Sequence, residues 1–248
     1  MREDLTATTI SITGAGDDEI EAYLAVPGDG AASRGGVVVI HHMPGYDTST
    51  KEIVRKFAAH GYAALMPNLY YREAPGASPD DAAAVARANG GVPDERLVGD
   101  VGAAAEYLRG LAGSNGKIGV IGYCSGGRQS FLAACSLQLD AAVDCYGACI
   151  VNPPPEGMPL KVAPLTGIAK DLSCPLLGLF GADDKYPAPD ETAELSRILD
   201  DLGKPHEFHT YDGVGHGFFN VNRPGYRAEA ATAAWDRIWD FYGQHLAG

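Results

Sequence analysis

Two runs in which apolar and polar residues alternate open the chain, at residues 7–12 and 20–25. Gly14-Ala15-Gly16-Asp17-Asp18 separates them, so the pair predicts an antiparallel hairpin with one face buried. From Val37 onward the pattern changes. Short β-branched or apolar runs at 37–40, 63–66, 118–121, 141–146 and 176–180 carry no polar alternation, and longer segments of helical period lie between them. Strands without a polar face are buried on both sides, which predicts an α/β fold: a mostly parallel central sheet with helices on both faces. Ser49 and Glu52 stand at capping-box spacing for one helix, and His60-Gly61 supplies its stop. A helix is expected from Asp190 to Leu202-Gly203. Another runs over 227–245, where Trp235 and Trp239 share a buried stripe with Ala231, Ala234, Ile238, Phe241 and Tyr242. The Pro/Gly-rich stretches 74–79 and 152–164 read as loops. The first follows a strand's carboxyl end and is expected to line a site.

Totals narrow the classes. A chain of 248 residues fits one domain over 1–248 with an ordinary apolar share. With 19 basic and 32 acidic residues the formal charge is −13, which repels nucleic acid. Charges stand at positions 2–4, where a signal peptide would need an apolar run of about 7–15 residues, and no stretch approaches the roughly 18 of a membrane span. No membrane partner and a cytoplasmic location are therefore expected. The five cysteines, 124, 135, 145, 149 and 174, show neither C-x-x-C nor zinc spacing, so no metal is expected and all but Cys124 read as small core residues.

The chemistry centres on residues 117–127. An apolar strand meets Gly122-Tyr123-Cys124-Ser125-Gly126-Gly127, and the apolar helix 129–137 follows. This is a nucleophile elbow of the form G-x-C-x-G, in which the flanking glycines permit a sharp turn that holds the nucleophile clear of the sheet. The helix N-terminus beyond it favours thiolate. A nucleophile of this kind needs a base and an orienting acid, in the chain order nucleophile, acid, histidine. After the strand 176–180 come Asp183 and Asp184. After the strand 207–211, His216 stands between Gly215 and Gly217 in a loop with no core to fill. Between the two aspartates the residues alone decide little.

The segments Gly61-Tyr62-Ala63-Ala64, Pro67-Asn68-Leu69-Tyr70, the elbow, Tyr146-Gly147 and Gly215-His216-Gly217-Phe218 together resemble the dienelactone hydrolases (carboxymethylenebutenolidases) over about 36–242. The resemblance implies the α/β-hydrolase fold, Cys124 as nucleophile and His216 as base. It also implies Asp184 as the acid, three residues after the glycine matching Gly181, and an oxyanion hole from the backbone N–H groups of Met43 and Ser125. Tyr70, Arg72, His42 and Asn220 are candidate substrate contacts. Two departures stand out: His42 occupies a position where the family has a glutamate, and its substrate-binding arginines are not clearly matched, Asn220 standing where one is expected. The expected reaction is hydrolysis of a small-molecule ester or lactone with no cofactor. The rival expectation is a non-catalytic small-molecule binding protein of the same fold, marked by a Cys124 that iodoacetamide does not alkylate near neutral pH.

Overall fold

The computed structural model describes residues 4–28, 34–43 and 45–248. The charges at positions 2 and 3, and Pro44 in the loop after residue 40, lie outside them. Strands β1 (Leu5–Thr13) and β2 (Glu19–Pro27) form the expected antiparallel hairpin, paired from Leu5 with Pro27 to Thr13 with Glu19. The strands β3 (Gly36–Ile40), β4 (Ala63–Pro67), β5 (Ile118–Tyr123), β6 (Ala141–Cys145), β7 (Leu176–Gly181) and β8 (His206–Tyr211) complete one eight-stranded sheet. Its order is β1-β2-β4-β3-β5-β6-β7-β8, parallel from β4 to β8.

Alternate residues of the buried strands feed two apolar layers. Val37 and Val39 join one and Val38 and Ile40 the other, and Ile121 and Val120 divide in the same way. The helices α1 (Thr48–Ala59) and α6 (Ala228–His245) close the first layer. The other receives α2 (Pro79–Ala88), α3 (Asp94–Arg109), α4 (Ser125–Ser136) and α5 (Pro189–Asp201). Trp235 and Trp239 stack at 4.9 Å on the α6 stripe, and Trp239 also stacks on His60 at 3.7 Å. No helix among the described residues is long and apolar enough to cross a membrane.

Two local expectations are corrected. The cap of α1 is Asp47, whose Oδ1 accepts from the Thr50 N–H at 2.8 Å; Ser49 lies inside the first turn and its hydroxyl donates to Asn220 instead. An aspartate at the N-cap position satisfies a free amide and also meets the positive end of the helix, so the cap lies two residues before Ser49. The loop 74–79 folds back on itself and ends in the Ser78 cap of α2. It contributes nothing to the main cavity, whereas the loop 152–164 does.

One buried group sets a pH dependence of stability. Asp144 on β6 is fully buried; its Oδ1 accepts from Gly147 N–H at 2.7 Å and its Oδ2 has no partner among the described residues. Burial pushes its pKa up to about 7. Between about 4 and 7 the native state therefore holds a proton that the unfolded chain has released, and stability falls as pH rises, by about 4 kcal/mol across the window. Asp144→Asn keeps the acceptor for Gly147 and removes the titration. Its stability relative to the parent should be more favourable at pH 8 than at pH 4 by an amount of that order, measured by urea unfolding at both. A pH-independent difference would show that the carboxyl is ionised in the native protein.

Candidate active site

Cys124 ends β5 and caps α4, with φ 59° and ψ −120°, a left-handed conformation that a non-glycine residue adopts only under local strain. The strain is held by close packing. A Cβ on Gly122 would meet the Gly126 carbonyl oxygen at 1.7 Å, and one on Gly126 would meet the Ile40 carbonyl oxygen at 2.6 Å. Glycine at both positions lets the turn close and lets the start of α4 lie against the end of β3. The Cys124 N–H donates to the Cys145 carbonyl at 3.0 Å, which ties the elbow to β6. Ser125, the first residue of α4, presents one of the amides that a helix leaves without an internal partner.

His216 reaches the same rim from the loop after β8. Its Nδ1 lies 2.8 Å from Asp184 Oδ2, while Asp184 Oδ1 accepts from the Tyr186 N–H at 2.9 Å. Asp184 is buried and Asp183 is exposed, so the geometry separates two aspartates that the residues alone left equal. Tyr146 packs its ring edge-on against the imidazole at 4.9 Å. Burial opposes charge on His216, but the Asp184 carboxylate and the neighbouring Cys124 sulfur outweigh it and push the imidazole up to about 10. The pairing with Asp184 thus favours the protonated ring. Its favourable interactions are complete below the ordinary histidine value of about 6.5 and are lost as pH rises through about 10. Titration of His216 by NMR should give a value well above 6.5, and Asp184→Asn should lower it. An unchanged value in that variant would mean that the pair is not formed.

Cys124, His216, Asp184, Ser125, Met43 and Tyr70 all line one cavity of about 500 Å³. The remaining candidates are elsewhere. Arg72 is held by Asp100, at 2.8 and 3.0 Å, and by Asp18 at 2.7 Å, which turns its guanidinium toward the hairpin. His42 Nε2 pairs with Asp47 Oδ2 at 3.0 Å, and that pairing together with the hydrogen bonds from the Thr50 N–H and hydroxyl holds Asp47 down to about 2 against its burial. His42 and Asn220 border a smaller cleft that shares no lining residue with the cavity.

Four contributors went unread in the sequence. Arg128, not singled out in the sequence, lines the cavity, as does Cys149, which read as core filler. Val92, just before α3, also belongs to the wall. His41 is buried with its pKa lowered to about 4 by burial; its Nδ1 lies 3.0 Å from the His42 carbonyl and its Nε2 accepts from the Leu69 N–H at 3.2 Å. This neutral imidazole joins the loop bearing Met43 to the one bearing Tyr70. No cluster of three or more His, Cys, Asp or Glu side chains suited to a metal occurs among the described residues.

A central sheet with this strand order, a strained turn at the end of its fifth strand and an imidazole–carboxylate pair at the same rim define the α/β-hydrolase fold. Within that class the chain belongs to the dienelactone hydrolase family, whose model matches residues 20–246, and it is a dienelactone hydrolase-like hydrolase. It is 33% identical to the carboxymethylenebutenolidase of Pseudomonas putida, over 83% of this chain and 84% of that protein. It is 32% identical to a protein of Salmonella typhimurium named "putative carboxymethylenebutenolidase", over 97% of this chain and 88% of the other. Among solved structures, one titled "putative dienelactone hydrolase", from Klebsiella pneumoniae, superimposes with a TM-score of 0.87 at 26% identity, covering 98% of this chain and all of that one.

Proposed function

We propose that this hydrolase, with residues 1–248 as one domain, cleaves a small ester or lactone through a covalent acyl-enzyme on Cys124. The observation that carries the reading is the 2.8 Å imidazole–carboxylate bond of His216 and Asp184 in the cavity that also holds the strained Cys124. The His216 imidazolium stabilises negative charge on the sulfur, which attacks the carbonyl carbon. The Met43 and Ser125 amides receive the oxyanion. As the tetrahedral intermediate collapses, the imidazolium gives its proton to the departing alkoxide. His216, now neutral and oriented by Asp184, takes a proton from water, and the resulting attack releases the acid and restores the sulfur. Tyr70 serves as wall. Arg72, His42 and Asn220 keep their protein partners throughout.

Rapid quenching during turnover of para-nitrophenyl butyrate should show the protein's mass raised by one acyl group. Peptide mapping should place the group on Cys124, and hydroxylamine should remove it. Turnover with an unmodified Cys124, and a thiol inert to iodoacetamide, would overturn the reading.

A further inference from the structure

The cavity that holds Cys124 is walled by Met43, Tyr70, Val92, Met158, Leu160 and Val162. Besides His216, which is engaged by Asp184, two cations reach its lining, Arg128 and Lys185. Lys185 is exposed at the mouth, directly after Asp183 and Asp184. Arg128 lies inside, with its side chain 5% exposed, and is already committed. Its Nη1 and Nη2 donate to the two oxygens of Asp94 at 2.8 and 2.9 Å, its Nη2 also to the Ala163 carbonyl at 2.7 Å, and its Nε to the Cys149 carbonyl at 3.3 Å. A two-pronged bond to one carboxylate neutralises the guanidinium and uses the face with which it would grip another. Arg87 stands outside the lining, exposed on the last turn of α2, with its Nε donating to the Met43 sulfur at 3.2 Å.

We infer that the site selects neutral substrates with an apolar acyl group and rejects anionic ones, because Asp94 occupies the buried cation of the cavity wall. The inference rests on the esterase reading above and deepens it. A carboxylate carried past Lys185 at the mouth loses its water and finds the inner wall's guanidinium already paired, whereas an alkyl or aryl chain gains contact with methionine, valine and leucine side chains. Arg128 is therefore a specificity-determining residue in a masked state. Removing the negative charge of Asp94, at the start of α3, unmasks it.

The test compares two esters that differ only at the far end of the acyl chain: para-nitrophenyl hexanoate, and the mono-para-nitrophenyl ester of adipate, whose carboxylate replaces the terminal methyl. Wild-type kcat/KM should favour the hexanoate ester by about 100-fold. Asp94→Asn should narrow that ratio at least about tenfold by improving the adipate ester more than the hexanoate ester, and Arg128→Met should preserve the neutral preference. Equal or better use of the adipate ester by the wild type overturns the inference, as does a ratio unmoved by Asp94→Asn in a folded variant. If Arg87→Ala alone abolishes turnover of the adipate ester, an anion site at the mouth replaces the masked arginine as the explanation.

A second measurement is independent of catalysis. Calorimetric titration of Cys124→Ala protein with hexanamide and with adipamate, its carboxylate counterpart, should show tighter binding of hexanamide. Hexanamide binding by a protein that turns over no ester sinks the esterase reading and leaves the selectivity standing. Adipamate binding as tight as or tighter than hexanamide, or no binding of either, sinks the selectivity whatever the turnover shows.

Discussion

Cys124→Ala is expected to lower kcat/KM for an activated ester by about four orders of magnitude or more while leaving the fold intact. The side chain is only half-buried and its removal opens onto a solvent-connected cavity, so stability changes little. Activity, in contrast, loses the atom that forms the covalent bond in the proposed mechanism. His216→Ala should fall nearly as far, because without the imidazolium neither charge on the sulfur nor the leaving alkoxide is served. Asp184→Asn should cost less, about 100-fold to 10,000-fold, since the ring remains in place but loses the acceptor that fixes its tautomer. Combining Cys124→Ala with His216→Ala should add almost nothing to the larger single effect, because the groups act as a unit. What remains would be the work of the Met43 and Ser125 amides and of binding alone. Steady-state rates on para-nitrophenyl butyrate measure all four variants. A Cys124→Ala protein within tenfold of wild type would move the chemistry to another group.

These variants test a site that was legible in part from the residues, for a physical reason that also explains what was missed. The elbow is a local structure. A sharp turn between a buried strand and a helix demands small residues at fixed offsets, and Gly122, Gly126 and Gly127 show those offsets without any knowledge of the fold. His216 and Asp184 each follow a recognisable strand, and the parallel order brings the ends of β5, β7 and β8 to one rim. The choice between Asp183 and Asp184 is different. It depends on which side chain points inward from a turn, and that is fixed by the Asp183 N–H bonding to the Val214 carbonyl and the Tyr186 N–H bonding to Asp184.

Long-range pairing was the part the sequence could not disclose. His42 follows the strand that leads to Met43, and the resemblance made it a candidate substrate contact. It turns aside because Asp47, the cap of α1, supplies a carboxylate at 3.0 Å. Arg72 was a candidate anion ligand until Asp100, buried in α3, claimed it. Nothing in the local pattern singles out Arg128, and only the approach of Asp94, thirty-four positions earlier, fixes its guanidinium in the cavity wall. Arg72 and Arg128 each find an opposite charge distant in sequence, while Asp47, five positions from His42, is brought to it by the start of α1. Charge pairing of this kind is decided by the tertiary fold, not by local pattern, so function inferred from lone charged residues errs toward ligands. The helices α2 and α3 were equally hidden as individuals: they are rich in alanine and charged residues, and the interval between β4 and β5 showed helical period without marking where one helix ends and the next begins.

Gly122→Ala is expected to be the most damaging single methyl that can be added to this protein. The new carbon would sit 1.7 Å from the Gly126 carbonyl oxygen and 2.1 Å from its carbonyl carbon. Both are backbone atoms in the first turn of α4, and no rotamer change moves them. Relief requires β5 and α4 to part. That would break the Gly127 N–H bond to the Cys124 carbonyl, 2.9 Å long, and the Cys124 N–H bond to β6. It would also let Cys124 relax out of its φ of 59°, so the sulfur would leave the position that His216 and the Ser125 amide define. The expected cost exceeds about 4 kcal/mol, in the range reserved for mutations that break a special backbone geometry. Any folded fraction should have lost its esterase activity. Gly243→Ala provides the contrast. It lies within α6 with nothing inside 4 Å of the added carbon, and replacing a helical glycine should stabilise the protein by up to about 1 kcal/mol. Urea unfolding of the two variants, with activity measured on the folded protein, reads both effects. A Gly122→Ala protein as stable and as active as its parent would mean that the turn is slack, and a slack turn could not hold Cys124 in the strained conformation on which its proposed role as nucleophile depends.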